Sequence, residues 1–250
     1  MTFLSPAATP FAQQVLLAKA WEHVYNYPDI PIIERCLHRT EGGHLVLGCA
    51  SGREFIPTLE TKRPVVGIDG NPNMLRVASE RFVTAFNSNQ LRLIEGDFTC
   101  VPFPKQQGLI TCMGNTWPYV KERDGRRQLF EKSHDCLATG GLLVVVIRQN
   151  YPLGNTSREQ IIDTDDIGQI KFNVRWEDSP DGLIRTYYAK LEVGDTSEDI
   201  EVPIALFTYN EFLEDALEVG FVQDEVFGDY DMSPYTPDSR YHIHLLKKVI

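Results

Sequence analysis

The tightest constraint on the fold is a pair of short, largely apolar runs, His44-Leu-Val-Leu-Gly48 and Pro64-Val-Val-Gly-Ile-Asp69. Both have the length of a strand covered on its two faces. Arg53 to Glu60, between them, leaves room for one brief helix. Strand, helix and strand so close together form a βαβ unit, with parallel strands and a right-handed crossover set by strand twist.

The alternation continues along the chain. Asn73 to Phe86 carries Met74, Leu75, Ala78 and Phe82 at helical spacing, with Asn71-Pro72 as its start signal. Leu91–Glu95 and Leu109–Met113 are predicted strands, Asp124–Ala138 a helix and Gly141–Ile147 a fifth strand, with Gly140-Gly141 expected to stop the helix. This order reads as a doubly wound α/β sheet. Gln13 to Leu37 reads as helix with a bend at Tyr27-Pro28 and Ile30-Pro31. Ile170–Trp176 and Leu183–Val193 alternate apolar and polar residues across Ser179-Pro-Asp-Gly182, an antiparallel hairpin in an insertion. Tyr209–Val219 is a predicted helix, and Phe221–Phe227 and Tyr241–Val249 are predicted strands. The expected organisation is a helical segment over 1–43, then a domain over 44–250 with its β-rich insertion near 153–207.

Charge narrows the partners. The chain has 250 residues, with 24 basic against 35 acidic and a net charge of −11. No stripe of Lys and Arg is placed to neutralise phosphates, so nucleic acid and anionic membrane surfaces are disfavoured. The longest apolar run, Leu142–Ile147, is far short of the roughly 18 residues of a membrane helix. The N-terminal MTFLSPAATPFAQQ lacks the features of a secretory signal. Five scattered cysteines form no CxxC pair. A cytoplasmic protein without a zinc knuckle is the expectation. The His242 and His244 pair lacks a third ligand nearby, and Asp163-Thr-Asp-Asp166 lacks the glycine and glutamate of a calcium loop, so no metal is expected.

The chemistry concentrates at Gly48-Cys-Ala-Ser-Gly52, followed 21 residues after Gly48 by Asp69. Small residues allow a tight turn and a close ligand, and an acid at the end of the next strand can accept ribose hydroxyls. A nucleoside-containing cofactor is implied. Arg53 occupies the third glycine position of a dinucleotide fingerprint, which counts against NAD and an oxidoreductase.

This turn resembles motif I of the class I S-adenosylmethionine-dependent methyltransferases. Asp69-Gly-Asn-Pro-Asn-Met-Leu75, Gly96-Asp97-Phe98, Met113-Gly-Asn-Thr116 and Gly140-Gly-Leu-Leu143 are similar to later family segments, in the same order. The glycine and sarcosine N-methyltransferase group resembles the chain further, at Arg148-Gln-Asn-Tyr151, Gly228-Asp-Tyr230 and His242-Ile-His-Leu245. The resemblance implies a seven-stranded Rossmann-like sheet with an antiparallel last strand, and S-adenosylmethionine as cofactor. It implies Gly48, Cys49, Ala50 and Gly52 beside the cofactor, with Asp69, Gly70 and Met74 from the second strand and helix. Asp97, Phe98, Met113 and Asn115 complete that set. The family usually has an acid where Val46 stands and an aspartate near Gly108, and Gln149 interrupts its Arg-Asn-Tyr.

Methyl transfer to a small molecule is therefore the expected reaction, with an amine nitrogen as the preferred acceptor. Asn150 and Tyr151, at the exit of the fifth strand, are the candidates to touch it. Tyr25, Trp117 and Tyr235 are candidate walls, and Arg148, Arg175 and Arg185 are candidates to pair with an acceptor carboxylate. O-methylation of a metabolite and a non-catalytic, cofactor-binding scaffold stand as alternatives, and the oligomeric state is left open.

Overall fold

The computed structural model describes residues 11–149 and 157–249. Seven strands form one sheet: β1 (Gly43–Leu47), β2 (Val65–Asp69), β3 (Leu91–Glu95), β4 (Gln107–Cys112), β5 (Leu137–Arg148), β10 (Phe221–Phe227) and β11 (Tyr241–Lys248). Their spatial order is β10-β11-β5-β4-β1-β2-β3. All neighbouring pairs from β5 to β3 are parallel, whereas β11 runs antiparallel to both β5 and β10. The chain starts at the centre, winds outward through β2 and β3, then restarts on the other side of β1 with β4. That reversal opens a crevice at the carboxyl ends of β1 and β4, the place where open α/β sheets take their ligands.

Both sheet faces are covered, which is why the central strands read as unbroken apolar runs. On one face α6 (Arg123–Cys136) and α7 (Tyr209–Glu218) bury Phe130 and Phe212 against Leu45, Leu47, Ile110, Val145 and Ile147. Thr208 begins α7 with a reciprocal capping box to Glu211. On the other face α2 (Ile30–Leu37) packs Ile33 and Leu37 on Leu109, Val144 and Ile243. Beside it, α3 (Phe55–Glu60) and α4 (Pro72–Arg81) cover Val46, Val65 and Leu91. His242 and His244 lie side by side, fully buried, joined Nδ1 to Nε2 at 2.8 Å. Burial pushes His242 down to about 4, so the pair is neutral and structural near neutral pH.

A second sheet of four antiparallel strands is formed by β6 (Ser157–Thr164), β7 (Gly168–Asp178), β8 (Ile184–Val193) and β9 (Thr196–Ala205). Its apolar face, Ile170, Phe172, Val174 and Leu191, packs on Leu17, Ala20 and Trp21 of α1 (Phe11–Val24). Trp21 Nε1 also donates to Glu198 Oε2 at 2.7 Å. The two N-terminal helices thus serve different cores: α1 lies on the insertion, α2 on the main sheet.

Three local expectations are corrected. The helix predicted over 73–86 is interrupted at Phe82, whose backbone leaves helical geometry while its ring packs on Phe55 at 5.7 Å; α5 (Val83–Asn87) follows. Gly140 does not stop a helix. α6 ends at Cys136, and β5 runs through Gly140 at φ +81° opposite a register shift between Gln107 and Leu109. The expected hairpin is the middle of a four-stranded sheet, because β6 and β9 carry too few buried residues to signal themselves.

Phe130 is 1% exposed, with its ring 4.6 Å from Trp117 and 5.1 Å from Phe212. Phe130→Ala should destabilise the protein by about 3–5 kcal/mol. Thermal and denaturant unfolding check this, and a loss below about 1 kcal/mol would mean that the α6–α7 core is not packed as described.

Candidate active site

The turn after β1 is tied to its neighbours by one carboxylate. Asp69 Oδ2 accepts from the Ala50 amide and Oδ1 from the Asn71 amide, each at 2.8 Å, while its backbone carbonyl accepts from Gly96 at 2.9 Å. The loops after β1, β2 and β3 therefore meet on one residue. Burial pushes the Asp69 carboxyl up, and the two amide donors pull it back toward the ionised form. Two of its roughly four lone-pair positions are filled, which leaves two for a ligand's hydroxyl groups. Gly48, Ala50 and Gly52 all have positive φ. Ala50 holds this conformation despite its Cβ because the Asp69 bond fixes its amide.

The fourth-strand loop closes the other side. Gly114 and Asn115 are left-handed, and the Asn115 side-chain oxygen accepts from the Arg148 amide at 2.9 Å, joining the exits of β4 and β5. Gln149 extends the join: its Nε2 donates to the Ser239 carbonyl at 2.7 Å, and its Oε1 accepts from Tyr235 at 3.2 Å. The residue that interrupts the family's Arg-Asn-Tyr thus brings Tyr235 to the end of β5. Gly108 has a separate reason. A Cβ there would lie 1.7 Å from the Glu41 carbonyl oxygen, so no side chain fits.

The N-terminal segment is locked over the turn. Arg53 Nε and Nη2 grip both oxygens of fully buried Asp29 at 3.1 and 2.5 Å, while Nη1 donates to the Tyr25 carbonyl. Tyr25 stacks between Trp21 and Tyr27, and Tyr27 stacks on Tyr230 at 5.5 Å. The Tyr25 hydroxyl meets that of Tyr187 on β8 at 2.7 Å, so the insertion supplies a wall as well. Burial pushes Tyr25 and Tyr230 well above the ordinary phenol range and keeps them neutral. Arg53 and Asp29 carry no site signal in the sequence, whereas Tyr27 and Tyr187 belong to the tyrosines that recur in the parts expected around the pocket. Nothing in the local pattern pairs residues 24 and 162 positions apart.

The candidates distribute unevenly. Gly48, Cys49, Ala50, Gly52, Asp69 and Gly70 lie in the loops after β1 and β2, Asn115 lies in the loop after β4, and Met113 is buried in the core under α2. Asp97, exposed, spends Oδ1 on the amide and hydroxyl of Thr99. Phe98 is buried in the α6 core, and Met74 packs toward α1 and the insertion. Trp117 is corrected: it is fully buried against Phe130 and Phe212, because the single 3-10 turn at Trp117–Tyr119 points its indole into the core. Arg175 is corrected too. It lies on the outer face of β7, paired with Glu177 and stacked 3.7 Å over Tyr188, while its neighbours Val174 and Trp176 face inward. Arg185 is buried and clamped by Asp178 at 2.5 and 2.6 Å, so its guanidinium is committed to its own hairpin. Arg148 is the one arginine of the three at the crevice end of the main sheet. Asn150 and Tyr151 lie outside the described residues. Among the described residues no group of three or more His, Cys, Asp and Glu side chains could hold a metal, and no helix is long and apolar enough to cross a membrane.

Comparison with known proteins decides the family. A methyltransferase domain model matches residues 45–141. A glycine/sarcosine N-methyltransferase of Parasynechococcus marenigrum is 30% identical over 229 residues, covering 85% of this chain and 74% of its own length. The chain belongs to the class I S-adenosylmethionine-dependent methyltransferases. A glycine/sarcosine/dimethylglycine N-methyltransferase of Actinopolyspora halophila is 24% identical over 84% of this chain, which spans only 37% of that relative's length. A methyltransferase structure from Clostridium acetobutylicum has a TM-score of 0.77 at 18% identity, covering 92% of this chain and 98% of its own. The S-adenosylmethionine-bound amino pentose methyltransferase CalS10 of Micromonospora echinaspora has a TM-score of 0.62 at 15% identity, covering 96% of this chain and 92% of its own.

S-adenosylmethionine is the cofactor of this methyltransferase, and the crevice suits it. The Asp69 carboxylate has acceptor capacity left for ribose hydroxyls, and the left-handed turn brings backbone close to a ligand. Asp69→Asn would set its amide nitrogen against one of the two backbone N–H donors and remove the charge. Affinity for S-adenosylhomocysteine should fall about ten- to a hundredfold. Calorimetric titration checks it, and a change within twofold would remove Asp69 from the site.

Proposed function

We propose that this methyltransferase acts on the nitrogen of a small amine, and that the acceptor carries a carboxylate. The observation that carries the reading is the 30% identity to a glycine/sarcosine N-methyltransferase over most of this chain. A protein of the same fold is an amino pentose methyltransferase.

The cofactor's sulfonium supplies an electrophilic methyl group, so the chain's own task is alignment and exclusion of water. Asp69 and the Gly48–Gly52 turn fix one end of the reacting pair. The stack of Trp21, Tyr25 and Tyr27 covers it from above, anchored by Arg53 on Asp29. The Tyr25 phenol, kept neutral by burial and bonded to the Tyr187 hydroxyl, adds no charge that would hold the acceptor as an ammonium ion. An amine attacks only as the free base, so its proton must leave before transfer, and no dedicated protein base is required. Asn150 and Tyr151 contact the acceptor in this reading, and Arg148 receives its carboxylate in fork geometry.

Two measurements test it. On a panel of glycine, sarcosine, an amino sugar and a catechol, S-adenosylhomocysteine should form with glycine and sarcosine and not with the amino sugar or the catechol. Turnover of the catechol alone would favour O-methylation, and binding without any turnover would favour a scaffold. Arg148→Ala should raise the KM for glycine at least about tenfold while affinity for S-adenosylhomocysteine stays within twofold. An unchanged KM would dismiss the carboxylate.

A further inference from the structure

Beneath the turn lies a buried carboxyl group that neither the fold nor the cofactor contacts above account for. Glu54 stands immediately before α3, where an acid normally accepts from the first helical amides, yet it makes no such bond. Its side chain crosses instead to β4, where the Thr111 hydroxyl donates to Oε2 at 2.5 Å. Thr111 has one hydrogen, so its oxygen can only accept from His44 Nε2, 2.9 Å away, and His44 Nδ1 then accepts from the Thr58 hydroxyl at 2.7 Å. This chain of fully buried groups fixes where the carboxyl points.

Two polar atoms are left over in the same place. Glu54 is 6% exposed, and its Oε1 accepts no hydrogen bond among the described residues. The phenol oxygen of Tyr230 is buried without a partner and lies within electrostatic reach of Glu54 and Asp29. Charge is balanced only while one of two acids keeps its proton. Asp29 and Glu54 are two acids against the single guanidinium of Arg53, whose hydrogen bonds go to Asp29 and the Tyr25 carbonyl. The other titratable groups around Glu54 are neutral: burial pushes His44 down to about 3 and the Cys49 and Cys112 thiols and the Tyr230 phenol well up. With that one guanidinium taken by Asp29, Glu54 can become a carboxylate only beside a further cation with hydrogens to donate.

We propose that Glu54, from the start of α3, receives the α-ammonium group of the cofactor. The inference rests on the cofactor lying against the Gly48–Gly52 turn. In the free protein, burial first and then the negative charge of Asp29 push the Glu54 carboxyl up to about 8, so at pH 7 it is mostly protonated. An ammonium ion beside it favours the carboxylate, so binding releases a proton.

The test compares S-adenosylhomocysteine with its analogue in which hydrogen replaces the α-amino group, titrated calorimetrically into the wild type and Glu54→Gln. The near-isosteric variant should lose about ten- to a hundredfold in affinity for S-adenosylhomocysteine and stay within twofold for the des-amino analogue. Equal losses for both ligands, or no loss for either, would overturn the proposal. Should the variant fail to fold, the wild type alone decides. At pH 7, in buffers of different ionisation heat, binding of S-adenosylhomocysteine should release close to one proton per site and binding of the analogue none. Buffer-independent heats for S-adenosylhomocysteine would overturn the assignment of Glu54, and a wild type that binds neither ligand would overturn the cofactor's placement with it.

Discussion

The geometry of the crevice depends on the carboxylate of Asp69. Three loops leave three adjacent parallel strands at the same end of the sheet, and each carries backbone amides that the sheet no longer pairs. Asp69 accepts from two of them through its side chain, and its carbonyl accepts from the third. Backbone donors of this kind are costly to bury unpaired, so one acid satisfies them and sets the spacing of the turn. The strand reversal beside β1 separates the loops enough to admit a ligand, and Asp69 keeps them close enough to grip it.

Above and beneath the turn the arrangement is held by buried charge. Arg53 reaches out of the turn to Asp29 and to the Tyr25 carbonyl, so the N-terminal segment sits where its aromatic residues cover the crevice. A desolvated pair like this contributes little net stability, because the Coulombic gain roughly offsets the cost of dehydration, but it fixes one geometry over others. Glu54, the next residue, points the opposite way, into a chain of hydroxyl and imidazole groups under the sheet. Two consecutive side chains thus serve a lid and a floor. The insertion completes the enclosure from the side through Tyr187.

Much of the cofactor crevice could be read from local pattern. Gly48 to Gly52 and Asp69 lie at the ends of consecutive strands, and strand periodicity with βαβ chirality brings those ends together without further information. The acceptor side was less legible. Trp117 follows Asn115 directly and reads as a pocket wall, yet a single 3-10 turn rotates it into the α6–α7 core. Arg175 and Arg185 read alike as free guanidinium groups. The pleat puts Arg175 on the outer face, and the hairpin register sets Arg185 against Asp178. Gly140 carries a helix-stop signature, but the bulge in β5 needs the same left-handed backbone.

By itself the sequence determined the doubly wound sheet, the small-residue turn and the acid that faces it, because these follow from periodicities of two and 3.6 and from short connections. Only the tertiary structure decided that Arg53 pairs with Asp29, that Tyr25 meets Tyr187, and that Glu54 turns from its own helix toward Thr111. Each of these joins residues far apart in the chain. Such pairings exist only once the main sheet and the inserted strands have both folded, so no local pattern records them.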